Sequence, residues 1–140
     1  MNVPPKAFRN LATQYLNSNF PEPRRSTTVS DRVYQAHFKL SPLGTARLWC
    51  KLCQANEGNS YYQDPNDRDA QPVYFTNVLP RHLLWTLHYM KTYVSEDVAS
   101  QLFGITCKTH RKYFWAIVHF LYVLASNKVS ILILAYFTLF

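Results

Sequence analysis

With 140 residues the chain has room for one domain, and 48% hydrophobic with 16% aromatic residues is enough for a packed core. Three glycines leave little scope for Gly-rich phosphate loops, and the opening MNVPPKAFRN has no apolar run of the kind a secretory signal needs. The net charge of +7 favours an anionic partner such as nucleic acid or a membrane surface, with nine Lys/Arg against six Asp/Glu before residue 80 and six against two from there on.

Taken in chain order, Phe8, Leu11, Tyr15 and Leu16 recur at helical spacing and predict a short helix. Pro21 to Thr28 is too polar and proline-rich to offset chain entropy by burial, and is read as mobile. Residues 31–54 mix aromatic, aliphatic and basic side chains without clean periodicity, and 55–71 reads as a polar linker with turn signals at Asp64-Pro65-Asn66-Asp67. Cys50 and Cys53 have the spacing of zinc ligands, but a structural zinc site needs four and no second close pair follows. Together with Cys107 they are read as unpaired thiols of a reducing compartment, with no metal and no cofactor.

From Pro80 the pattern sharpens. Proline suits the first helical turn, and Leu83, Leu84, Leu87 and Met90 form one apolar stripe in a helix ending near Tyr93. Ser95 is an N-cap, with Glu96 and Asp97 favourably placed in the next first turn. Val98, Ala99, Leu102 and Phe103 give this second helix a buried side, and Gly104 suits its left-handed cap, with Ile105 as apolar plug. Thr106 then caps a third helix from Cys107 to about Ala125. At 100° per residue it carries Lys108, Arg111, Lys112, Trp115, His119 and Tyr122 on one face, and Phe114, Ile117, Leu121 and Leu124 on the other.

Two helices joined by a glycine turn, the second basic at its start, describe a helix-turn-helix. Its second helix enters the major groove, where Arg and Lys meet guanine edges and phosphates. The expected DNA contacts are Lys108, Thr109, Arg111 and Lys112, with Lys91 nearby. The expected fold is mainly α: a three-helix unit over 76–126, a largely irregular region over 1–75, and an apolar tail over 127–140.

Leu83-Leu84-Trp85, Lys91-Thr92-Tyr93, Gly104-Ile105-Thr106-Cys107-Lys108-Thr109-His110-Arg111-Lys112 and Trp115 carry a family resemblance. The stretch Pro80–Ala125, about a third of the chain, resembles the helix-turn-helix region preceding the catalytic core of eukaryotic DDE-type transposases of the Harbinger and insertion-sequence kind. The resemblance implies a nuclear, DNA-binding fragment. His110 departs from it, standing on the apolar face where the family usually has Phe or another apolar residue. Family members also continue into a fold whose three carboxylates hold two metal ions. After Asp97 this sequence has no acidic residue, so no transposase activity and no small-molecule substrate are expected of it.

Val129 to Phe140 is apolar and charge-free, and is read as non-homologous sequence in place of a catalytic domain. Twelve residues are too few to span a bilayer. Joined to Tyr113–Ala125 they define the alternative of a small tail-anchored membrane protein using 113–140. A helical protein-interaction module presenting Trp115 and Tyr122 is the other alternative.

Overall fold

The computed structural model describes residues 2–19, 28–63, 66 and 71–139, for 19 and 129–139 the backbone alone. The chain is mainly helical. In order it forms α1 (Pro5–Asn19), α2 (Asp31–Phe38), α3 (Pro42–Ala55), β1 (Ser60–Tyr61), β2 (Val73–Tyr74), α4 (Pro80–Thr92), α5 (Glu96–Phe103) and α6 (Cys107–Leu139).

The local reasons are visible at each start. Ser30 accepts a hydrogen bond from the Val33 N–H at 3.3 Å and Ser41 one from the Gly44 N–H at 3.0 Å, so α2 and α3 both begin at serine caps. Proline occupies the first turn of α3 and α4. His82 completes the start of α4: its Nδ1 accepts the Leu79 N–H at 2.9 Å, satisfying one donor that the helix itself leaves unpaired. β1 and β2 pair antiparallel, Ser60 opposite Tyr74 and Tyr61 opposite Val73.

α4 is the central element. His82 to His88 are all buried, because α1, α2, α5 and α6 surround the helix. The single stripe expected from Leu83, Leu84, Leu87 and Met90 is therefore too narrow; Trp85, Thr86 and His88 are enclosed as well, while Met90 is exposed. One core joins Phe8, Ala12 and Leu16 of α1, Tyr34 and Phe38 of α2, Trp49 and Leu52 of α3, the central helix, Phe103, and Ile117 and Phe120 of α6.

This corrects the expected irregular N-terminal region. The short helix expected around Phe8 to Leu16 is α1, but 31–38 and 42–55 are helices as well, all three share their core with α4 and α6, and β1 stands inside what reads as linker, paired with β2 just beyond it. Aromatic side chains with no local periodicity find their burial against a helix forty residues away, and that partner is invisible to a local pattern. Buried polar groups tie the parts together. The Tyr34 hydroxyl donates to Thr45 Oγ1 at 2.9 Å, and Thr45 donates on to the Ser41 carbonyl at 2.9 Å. Burial pushes the Tyr34 phenol up to about 12. Asn56, fully buried, donates through Nδ2 to the Leu52 carbonyl at 3.0 Å and to the Phe120 carbonyl at 3.1 Å, clasping the end of α3 to the middle of α6.

α6 also outruns its expected end at Ala125, continuing to Leu139. Ser126-Asn127-Lys128 contains neither glycine nor proline, so nothing there stops a helix. The run expected to be mobile falls, from residue 21 to 27, outside the described residues, as do Asp64, Pro65, Asp67 and the side chains of the apolar tail. Among the described residues, no helix is long and apolar enough to cross a membrane.

Candidate nucleic-acid interface

The unit α4–α5–α6 is built by the caps that the sequence announces. Ser95 Oγ accepts the Val98 N–H at 3.3 Å, starting α5 with Glu96 and Asp97 in its first turn. Gly104 ends it with φ 67° and ψ 36°, where a Cβ would be strained. The Ile105 N–H reaches back to the Ser100 carbonyl at 2.9 Å and the Gly104 N–H to the Gln101 carbonyl at 3.3 Å, the paired bonds of a Schellman turn. Ile105 packs on the core, which fixes the direction in which the chain leaves. Thr106 then caps α6, its Oγ1 accepting the Thr109 N–H at 3.1 Å.

The two faces of α6 separate as the helical period demands. Ala116, Ile117 and Phe120 are fully buried, with Phe114, Leu121 and Leu124 half-buried beside them. Tyr113 stacks on His82, ring centroids 3.7 Å apart. His110 belongs to this inner side at 1% exposure, beside Tyr89 at 5.3 Å. Burial lowers its pKa, so the ring is neutral at pH 7 and fills an apolar position at the cost of an unpartnered Nε2.

The outer face presents the expected residues unequally. Lys108 and Lys112 are exposed in the first two turns, and Lys91 is exposed at the end of α4. The Lys112 ammonium lies 5.6 Å from the Tyr113 ring centroid. Thr109 is half-buried, and its hydroxyl accepts from Thr106 at 2.9 Å, so it serves the cap. Arg111 is turned toward α5: its guanidinium takes Glu96 in both arms, Nε to Oε1 at 3.1 Å and NH2 to Oε2 at 2.6 Å. That pairing raises the Arg111 pKa and, through the hydrogen bond, lowers that of Glu96. Farther along, Trp115 and Tyr122 are exposed, and His119 is half-buried with its ring 5.2 Å from Tyr61.

A second link across the turn escapes sequence reading altogether. The Cys107 thiol donates to Asp97 Oδ1 at 3.1 Å and lies 3.3 Å from Ser100 Oγ. Glu96 and Asp97, chosen by the dipole of α5, thus also hold the first two turns of α6. No local signal pairs residues ten and fifteen apart across a turn; only the crossing angle does.

Elsewhere, Cys50 and Cys53 lie one turn apart on α3, Cys50 donating to Asn2 Oδ1 at 3.4 Å. Among the described residues there is no group of three or more His, Cys, Asp or Glu that could hold a metal ion. Comparison with protein-family models, curated proteins and solved structures finds no match to this chain.

Proposed function

We propose that the chain binds duplex DNA, with little sequence preference, through the first two turns of α6. The observation that carries this reading is the placement of Lys108 and Lys112. A Schellman turn and a threonine cap aim the second helix, its inner side is locked by His110, Ile117 and Phe120, and the two lysines stand outward at its positive end. The motif resemblance of Pro80–Ala125 to the DNA-binding region of Harbinger-type transposases supports the same reading.

The geometry redistributes the roles. Lys108, Lys112 and Lys91 take phosphate oxygens. Arg111 is the strut that holds α6 on α5, since its fork is already filled by Glu96. Binding without chemistry is the whole of the proposed activity: the two carboxylates of this unit are engaged by Arg111 and Cys107.

Anisotropy titration of a fluorescent duplex across a salt series tests the reading. The slope of log affinity against log salt should fall by about 1 for each of Lys108→Ala and Lys112→Ala. Unchanged affinity and slope in the double variant would exclude α6 as the DNA-binding element.

A further inference from the structure

Beyond Lys112 the outer face of α6 changes character. Lys108, Lys112, Trp115, His119 and Tyr122 follow at i, i+4, i+7, i+11 and i+14, all within about 40° of one line along the helix. Between Lys108 and Tyr122 no leucine, isoleucine or valine shares that arc. Trp115 is 47% exposed and Tyr122 69%, large apolar rings that the fold leaves in water. Tyr61, from the strand pair, flanks them through its contact with His119, and Tyr62 beside it is 46% exposed. The sequence is thus cationic first and aromatic after, with no carboxylate in the arc.

A duplex held at Lys108 and Lys112 does not extend to Tyr122, whereas Trp115, about 10 Å from Lys108 along the axis, stands at its edge. Lys108 and Tyr122 are 14 residues apart, about 21 Å along the axis, while the major groove is only about 12 Å wide. Trp115 and Tyr122 are separated by about 10 Å, roughly three base steps of 3.4 Å. Exposed aromatic faces suit flat π-systems, and unpaired bases stack on such rings whatever their sequence.

We propose that α6 recognises a junction between duplex and single strand: the lysines hold the phosphates of the duplex end, and Trp115 and Tyr122 stack the unpaired bases beyond it. This rests on the duplex-binding reading and extends it to a substrate class. Trp49 and Trp85 are buried, at 3% and 4% exposure, so Trp115 is the tryptophan that reports the contact.

The experiment uses the full chain with three labelled oligonucleotides: a blunt duplex, the same duplex with a single-stranded overhang, and the single strand. The overhang substrate should bind about tenfold more tightly than the blunt one and quench tryptophan emission. Trp115→Ala and Tyr122→Ala should each remove most of that preference, and Tyr122→Ala should leave blunt-duplex affinity unchanged. Trp115→Phe should keep the preference and lose the quenching, which separates stacking from damage to the fold. Equal binding of blunt and overhang substrates by the wild-type chain overturns the inference while leaving duplex binding intact. Binding of no DNA at all removes both. If Trp115→Ala and Tyr122→Ala instead alter self-association in sedimentation, with the DNA preference unmoved, the face is a protein contact and the inference is wrong.

Discussion

Mild acid should destabilise this protein, most of all through two buried histidines. His82 is 2% exposed and stacked on Tyr113, and its Nδ1 must stay unprotonated to accept the Leu79 N–H. Burial, then the charge of Arg81, lowers its pKa from 6.5 to about 3. His88, 4% exposed among His37, Phe38 and Phe103, is lowered to about 4 by burial, then by His37 and His110. Both folded values lie below the unfolded one. The unfolded chain therefore binds more protons between pH 6.5 and pH 4, and stability that is complete above 6.5 is lost as pH falls through that window. At pH 5 the unfolded histidines are mostly charged and the folded ones mostly neutral. At about 1.4 kcal/mol per pKa unit, each contributes a loss of at most about 2 kcal/mol. Water reaching the rings and relaxation around them reduce this to about 1 each, or about 2 kcal/mol for the pair. Urea unfolding at pH 7.5 and pH 5.0, followed by circular dichroism, measures it, and few carboxylates titrate in that interval. His88→Phe should remove about 1 kcal/mol of the acid loss, to which His110 and His37, also lowered by burial, add their own parts. A stability that is flat between the two pH values, or an acid loss unchanged in His88→Phe and His82→Asn together, would refute the reasoning.

Gly104→Ala should cost about 1 kcal/mol by thermal melting, from its left-handed backbone alone, since nothing lies within 4 Å of the added Cβ. Asn56→Ala should cost about 2–3 kcal/mol in denaturant, because two carbonyls lose a buried donor and a cavity opens between α3 and α6. Phe120→Ala, at the same junction, should cost about 3–5 kcal/mol by the same assay. Glu96→Gln should free Arg111 for phosphate, raising DNA affinity at low salt and steepening the salt slope by up to about 1, as a titration would show.

What was legible in the sequence was local. Ser95, Gly104 and Thr106 announce the limits of α5 and the start of α6 because each cap acts within four residues of itself. The inward and outward faces of α6 follow from its period, His110 on the buried side included. The N-terminal half was harder. Ser30-Asp31 and Ser41-Pro42 are helix starts in plain view, but Tyr34, Phe38, Trp49 and Leu52 give no stripe long enough to declare a helix. The burial of Tyr34 and Phe38 depends on α4, which reads as a helix with one apolar stripe and proves to be central, and that of Trp49 and Leu52 on α1 and α6. At the candidate interface the positive residues were legible as residues but not as roles. Lys108 and Lys112 stand outward, whereas Thr109 and Arg111 are taken up by Thr106 and Glu96.

The enclosure of α4 has a consequence for synthesis. As the chain emerges from the ribosome, α1, α2 and α3 come first, and they cover Phe8, Tyr34, Phe38 and Trp49 only in part by packing on one another. The scaffold against which they close is drawn from residues 80–120, and the Asn56 clasp cannot form before Phe120 is out. The first half of the protein is thus an aggregation hazard for as long as the second is unmade. A chain interrupted before α6 should be a client of chaperones, and a helix-turn-helix fragment cut free of its first 55 residues should come out insoluble, with the buried side of α4 turned to water.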